Sequence, residues 1–193
     1  ELLPADVEAV FTAEEILNVL KKRAGILEGV CITGGEPLLQ PDIEDFIRSI
    51  RSLGLEIKLD TNGSRPERLK QLCEKHLLDY VAMDIKNSPG KYGMTIGIGE
   101  YDMKNIYRSV ELLMEGTVPY EFRTTVVREF HKREDFSAIG RWLKGAEQYY
   151  LQSFEDSGDL IRPGLRAYTK EILVQALEIV QRNVPNAKLR GVE

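Results

Sequence analysis

Residues 29–39 read Gly-Val-Cys-Ile-Thr-Gly-Gly-Glu-Pro-Leu-Leu. A β-branched apolar run stops at two glycines, a carboxylate and a proline. Downstream, Ile43, Phe46, Ile47, Ile50 and Leu53 fall on one helical face before Gly54 ends the pattern. The stretch therefore predicts a strand that turns into a helix, with Pro41 at a first helical position. Two adjacent glycines, Gly34 and Gly35, strip side chains from the turn, so that a ligand can touch main-chain N–H and C=O groups directly. The plainer reading is a tight strand-to-helix turn.

The same unit recurs along the chain. Upstream, Thr12-x-x-Glu15 is a capping box that opens a helix running to about Ala24. Downstream, "LEIKLDTNG" (55–63) predicts a strand, and Pro66 begins a helix carrying Leu69, Leu72, Cys73 and Leu77. "DYVAMDIKNS" (79–88) predicts the next strand, and a Gly-containing connection (89–101) leads to a helix over 102–115. "YEFRTTVV" (120–127) and "YYLQSFE" (149–155) predict strands around a helix at 134–147. A helix from Thr169 to about Asn183 and a short strand at 187–192 complete the series. Short strands alternating with helices argue for a parallel sheet. No linker, low-complexity tract or second domain interrupts them.

Strand chemistry chooses between a doubly wound sheet and a barrel-like one. Leu55, Ile57 and Leu59 oppose Glu56, Lys58 and Asp60. Val81, Met83 and Ile85 oppose Ala82, Asp84 and Lys86; Phe122, Thr124 and Val126 oppose Glu121, Arg123 and Thr125. Strands covered on both faces read as continuous hydrophobic runs. One apolar and one charged face instead indicate helices outside and a polar cavity within. The expected fold is α/β, a partial (β/α)6-type TIM barrel with a curved, mostly parallel sheet and outer helices. An antiparallel sheet with one solvated face is the alternative, and the intervening helices disfavour it.

Composition sets the class. The chain has 193 residues, 42% hydrophobic and 30% charged, which is one soluble domain's worth of core. No apolar run approaches the ~20 residues that span a bilayer, so no membrane is expected. A net charge of −5 argues against nucleic acid, which is gripped by clustered Lys and Arg. Two cysteines, Cys31 and Cys73, form neither a disulfide framework nor a metal knuckle and suit a reducing cytoplasm. Each reads as a buried, inert thiol. His76 and His131 share no motif, so no His-based metal site is expected.

Polar groups collect at the C-terminal ends of the expected strands: Thr33–Pro37, Asp60–Gly63, Asp84–Lys86, and less sharply Arg123 and Gln152. Active sites of parallel α/β folds lie at that edge. Glu36 can hold an ammonium group and Pro37 fixes the exit path. Asp60 can accept from ribose hydroxyls, while Thr61-Asn62-Gly63 can equally be a turn. Asp84 and Lys86, two apart, point the same way and either bind opposite ends of a zwitterion or neutralise each other.

"ITGGEPLL", "LDTNG", "MDIKN" and the arginine of "FRTTVV", in that order, resemble radical S-adenosylmethionine enzymes of the glycyl-radical-activating group. "YYLQSF" and the closing "KLRG" look most like the anaerobic ribonucleoside-triphosphate reductase activating proteins. The resemblance implies that Gly34, Gly35, Glu36 and Pro37 hold the methionine amino group. It implies that Asp60 and Thr61 lie near the ribose and sulfonium, that Asp84 and Lys86 face the nucleoside-methionine ligand, and that Arg123 anchors it. Gln152 is carried over on the same basis. In such enzymes a [4Fe-4S] cluster cleaves S-adenosylmethionine to a 5′-deoxyadenosyl radical, which takes hydrogen from a glycine of the partner enzyme. A flavodoxin or ferredoxin would serve as electron donor.

The family's CxxxCxxC cluster loop has no counterpart here. The opening Glu1-Leu2-Leu3-Pro4 resembles the family's segment just after that loop. The expectation is one radical-S-adenosylmethionine-like domain over 1–193, N-terminally truncated, lacking the first strand and cluster loop and inactive by itself. The alternatives are another radical S-adenosylmethionine enzyme (pyruvate formate-lyase activating type, or acting on a small molecule), a Schiff-base aldolase or lyase using Lys86, and a non-catalytic binding module.

Overall fold

The computed structural model describes residues 11–156 and 164–192; the Glu1–Pro4 stretch lies outside them. Six strands, β1 Gly29–Ile32, β2 Glu56–Thr61, β3 Tyr80–Asp84, β4 Tyr120–Val126, β5 Tyr149–Ser153 and β6 Lys188–Arg190, form one sheet. They are hydrogen-bonded in their sequence order. The registers are parallel, with Val30 opposite Ile57, Thr124 opposite Leu151 and Leu151 opposite Leu189. A doubly wound sheet needs a point where the order reverses. This sheet has none, so the winding is that of the partial barrel expected from the strand chemistry. The helices are α1 Ala13–Arg23, α2 Ile43–Arg51, α3 Pro66–Glu74, α4 Tyr92–Ile96, α5 Lys104–Met114, α6 Arg133–Trp142 and α7 Lys170–Gln181.

The chain divides into two compact units, with the boundary inside β3. The first holds the described residues up to Ala82 together with Asn105–Tyr120. Its first helix starts at the expected capping box: Thr12 N–H donates to Glu15 at 2.8 Å and Glu15 N–H to the Thr12 hydroxyl at 3.2 Å. α1 buries none of its residues, and Phe11, Ile16, Val19 and Ile26 are exposed. α2 buries Ile43, Ile47 and Ile50 at helical spacing. Pro41 lies before this helix, not at its first position. Residues Pro37–Leu39 make a separate 3-10 turn, and α2 cannot begin until the chain has left it. Pro66 does open α3. In β2, Ile57 and Leu59 are buried while Glu56, Lys58 and Asp60 are not, as the alternation predicts.

The second unit holds Met83–Lys104 and the described residues from Glu121 onward. Phe122, Val126, Tyr149 and Leu151 of β4 and β5 are buried, as are Phe136 and Ile139 of α6 and Leu173 and Val180 of α7, and α6 and α7 pack against each other. α6 is shorter than the sequence suggests, ending at Trp142. The Gly-containing connection is partly helical, with a 3-10 turn at Pro89–Lys91 running into α4. Tyr92 pins that connection from below, stacked on Tyr101 at 5.9 Å and edge-on to Trp142 at 6.3 Å. A side chain at position 93 would fall on the Gly99 carbonyl oxygen, so only glycine fits. On the polar side, Arg190 of β6 pairs bidentately with buried Glu121 of β4, at 2.8 and 2.9 Å, and its guanidinium lies 3.8 Å over the Tyr150 ring. Among the described residues no helix is long and apolar enough to cross a membrane.

Candidate functional site

Two polar clusters occupy strand ends, one in each unit. In the first, β1 leaves the sheet through exposed Gly34 and Gly35. Gly34 has φ 135°, a conformation that side chains resist, and an added Cβ would meet nothing within 4 Å. The glycine is therefore required by backbone shape rather than by crowding. Glu36, 8% exposed, follows at once. Its Oε1 accepts the Thr61 hydroxyl at 2.9 Å and Leu38 N–H at 3.1 Å, and its Oε2 accepts Asn62 N–H at 2.7 Å. A carboxylate offers about four acceptor positions, and the chain itself uses three of them. Glu36 chiefly ties the exit of β1 to the exit of β2.

Thr61 is buried, and its hydroxyl also accepts Gly63 N–H at 3.1 Å. Pro37 is buried as the first residue of the 3-10 turn. Asp60 stands on the opposite, polar face of β2 and accepts from Lys58 Nζ at 2.5 Å. The same ammonium lies 3.8 Å from Cys31 Sγ. Cys31 is exposed, which corrects the expectation of a buried thiol: in the pleat of β1 it shares the polar face with Lys58, its register partner. Partial burial and the Asp60 carboxylate push its thiol up. Cys73 is buried as expected, and burial pushes it to about 11.

In the second cluster Asp84 ends β3 with one cation on each oxygen. Lys86 Nζ donates to Oδ2 at 2.9 Å and Arg123 Nε to Oδ1 at 2.6 Å. Three of the sequence-selected residues thus form one row of charged groups, two cations about one carboxylate, at the end of β3. Gln152 is half-buried on β5, in register with Thr125 of β4 and Arg190 of β6.

Sequence reasoning missed the network behind this row. Past Asp84 the chain leaves its strand and its carbonyls must find other donors. The Asp84 carbonyl accepts from the Tyr92 hydroxyl at 3.4 Å and the Ile85 carbonyl from the Thr124 hydroxyl at 2.7 Å. The Lys86 carbonyl meets His131 Nε2 at 3.0 Å. Asn87 donates to the Thr95 hydroxyl and the Phe130 carbonyl, and Ser88 donates to Asp135 at 2.8 Å. Burial pushes the Asp135 carboxyl up, but the Lys91 ammonium, Lys132 N–H and Ser88 hydroxyl outweigh it and hold it below the usual range. Burial lowers the His131 imidazole. None of this is visible as a motif, because the partners are drawn from α4, β4, α6 and the connection after β4.

A cavity of about 350 Å3 between α6 and α7, lined by Arg133, Glu134, Ser137, Arg141, Ile179 and Arg182, contains none of the selected residues. Among the described residues no group of three or more His, Cys, Asp or Glu is placed to hold a metal. Two cysteines of such different surroundings do not supply the thiolate set of an iron–sulfur cluster.

The family model described as Radical SAM superfamily matches residues 6–143. A Methanocaldococcus jannaschii protein, provisionally named a glycyl-radical enzyme activating enzyme, is 34% identical over 148 residues, covering 75% of this chain and 61% of its own. A GTP 3′,8-cyclase of Clostridium perfringens strain SM101 is 33% identical over 137 residues, covering 68% and 42%. The chain thus spans less than two thirds of these relatives' lengths. A domain of pyruvate-formate lyase-activating enzyme from Bacteroides vulgatus shares the fold with a TM-score of 0.68 at 18% identity, over 84% of this chain and 99% of that one. The family uses S-adenosylmethionine and a [4Fe-4S] cluster, and this chain lacks the cluster's cysteine triplet. On this match, and on a parallel six-stranded α/β sheet with polar strand ends, the chain belongs to the radical S-adenosylmethionine superfamily.

Proposed function

We propose that this chain is the S-adenosylmethionine-binding part of an enzyme that activates a glycyl-radical enzyme, with anaerobic ribonucleoside-triphosphate reductase as the protein substrate. The observation that carries it is the Arg123–Asp84–Lys86 row, a charged ligand platform at a strand end in a chain of this family. The choice of partner rests on "YYLQSF" and "KLRG" alone, and the likeness to the Methanocaldococcus jannaschii protein supports the broader class, a glycyl-radical enzyme.

In this reading the bared main chain at Gly34 and Gly35, with the Glu36 carboxylate, takes the methionine ammonium. Pro37 and Thr61 hold that turn in shape, and Asp60 accepts from the ribose. Lys86 and Arg123 take ligand oxygens with Asp84 fixing both, and Gln152 hydrogen-bonds the ligand. S-adenosylmethionine, with the cluster, supplies a carbon radical able to abstract hydrogen. These residues bind and orient it and do not supply the cluster. The Schiff-base alternative needs a neutral Lys86 amine, and Lys86 is paired with a carboxylate.

The test uses the full natural reading frame, reconstituted anaerobically with iron and sulfide, then given dithionite, S-adenosylmethionine, GTP and the reductase. Release of 5′-deoxyadenosine with a glycyl-radical signal on the reductase is the expected result, and the 193-residue chain alone should give neither. Release of 5′-deoxyadenosine with GTP consumed and no glycyl radical would favour a second reading, a small-molecule enzyme, to which the likeness to GTP 3′,8-cyclase points. Replacing Asp84 or Lys86 by an apolar residue should damage ligand binding more than stability.

A further inference from the structure

His131 lies outside every motif, yet it is 1% exposed and both ring nitrogens face main-chain atoms. Val127 N–H donates to Nδ1 at 3.1 Å. An N–H can only donate, so Nδ1 must present its lone pair and the proton sits on Nε2. Nε2–H then donates to the Lys86 carbonyl at 3.0 Å, which can only accept. The other tautomer would aim Nδ1–H at the Val127 carbonyl, 3.2 Å away. That oxygen already accepts from Phe130 and His131 N–H, at 3.1 and 2.9 Å. It would also set the Nε2 lone pair against the Lys86 oxygen. One tautomer satisfies every group.

The ring is held from several sides. Phe136 stacks on it at 6.0 Å, and the Tyr168 hydroxyl donates to the His131 carbonyl at 2.7 Å. The imidazole is therefore a rigid crossbar from the end of β4 to the peptide that carries the Lys86 side chain. Lys86 lies two residues past the end of β3 as an ammonium directed to Asp84. Without the Nε2 bond the Lys86 carbonyl loses its imidazole donor, and the peptide that sets the direction of the ammonium is left to Ile85, Asn87 and the Tyr92 hydroxyl.

We infer that His131 is a positioning residue for Lys86: its Nε2–H fixes the Lys86 peptide and so the Arg123–Asp84–Lys86 row that receives the ligand. This rests on the proposed role of Lys86 as a ligand residue.

The test compares His131→Phe, His131→Gln and Lys86→Met, with the His131→Phe/Lys86→Met double variant, in the cluster-loaded full reading frame. Equilibrium binding of S-adenosylmethionine is measured after circular dichroism confirms folding. His131→Phe keeps the stacking and loses both hydrogen bonds; affinity should fall roughly tenfold, the worth of one well-placed hydrogen bond. His131→Gln keeps a donor near the Nε2 position and should recover much of it. The double variant should bind no worse than Lys86→Met, because one residue acts through the other. Wild-type affinity in His131→Phe alongside a loss in Lys86→Met would overturn the positioning role alone, as would full additivity. Should His131→Phe fail to fold, His131→Leu takes its place: loss in His131→Leu with recovery in His131→Gln supports the role, and equal affinity in the two overturns it. Equal binding by wild type and Lys86→Met, or no binding by wild type, would remove the ligand reading and the role of His131 with it.

Discussion

Arg190 reaches over Tyr150 to grip Glu121, so that β6 and β4 are tied by two charge-assisted hydrogen bonds across the strand that separates them. The Glu121 side chain is 6% exposed and that of Arg190 39%. Removing the arginine takes two charge-assisted hydrogen bonds from a buried carboxylate, whereas removing both charges leaves no carboxylate to satisfy.

Arg190→Leu should therefore cost roughly 2–3 kcal/mol, at the low end for a broken buried pair because water reaches the arginine side. Adding Glu121→Leu should restore part of that. Urea unfolding of the three proteins checks it, and a loss below ~0.5 kcal/mol, the level of a surface pair, would refute it.

Glu36→Gln tests the brace between β1 and β2. The amide must turn an NH2 toward Asn62 N–H or the Thr61 hydroxyl, leaving a buried donor opposed. A loss of about 1–2 kcal/mol is expected, with a melting temperature lowered by a few degrees. Unchanged melting would mean that the three hydrogen bonds carry no stability.

The two cysteines should differ sharply toward alkylation. Cys31 is open to solvent, while Cys73 is buried with a thiol near 11, so little of it is thiolate at pH 8. Iodoacetamide followed by peptide mass spectrometry should find Cys31 modified in the folded protein, faster as pH rises, and Cys73 modified only in urea. Equal labelling without denaturant would contradict the burial of Cys73.

His131 should leave a mark on acid stability. Burial lowers its imidazole, so the unfolded chain takes up the proton first. Its contribution is complete above the unfolded value of about 6.5 and is lost as pH falls through the lower folded value. Asp135 opposes this shift and Lys91 reinforces it, and both charges face the ring. The stability gap between wild type and His131→Gln, followed by urea midpoints from pH 8 to 5, should narrow on acidification. A constant gap would mean that the imidazole takes up its proton at the same pH in the folded and unfolded chains, and a widening gap that it is charged in the fold.

Local rules reached the helices and strands. The Thr12 and Glu15 box, Pro66 at the head of α3 and the alternation through Ile57 and Leu59 are statements about neighbours in the chain, and all are present. Pro41 misled because a second, shorter turn intervened, and Cys31 because an apolar run does not say which face of the pleat a residue takes. Ala82, on the polar face of β3, is buried all the same. At the candidate site, Asp84 and Lys86 were legible as a pair because the expected strand ran through both; β3 ends at Asp84, yet the two side chains still meet. Glu36 against Thr61, Arg123 against Asp84, and His131 against Lys86 join residues 25, 39 and 45 apart, and no spacing rule announces such partners.

The unbroken strand order has a bearing on how the molecule is made. Every hydrogen-bonded seam in the sheet joins a strand to the one synthesised just before it. No strand has to wait for a distant one to emerge, so the sheet can lengthen at one edge as the ribosome delivers each successive strand and helix. Once β4 has emerged, a nascent chain has every strand that the seams between β1, β2, β3 and β4 require.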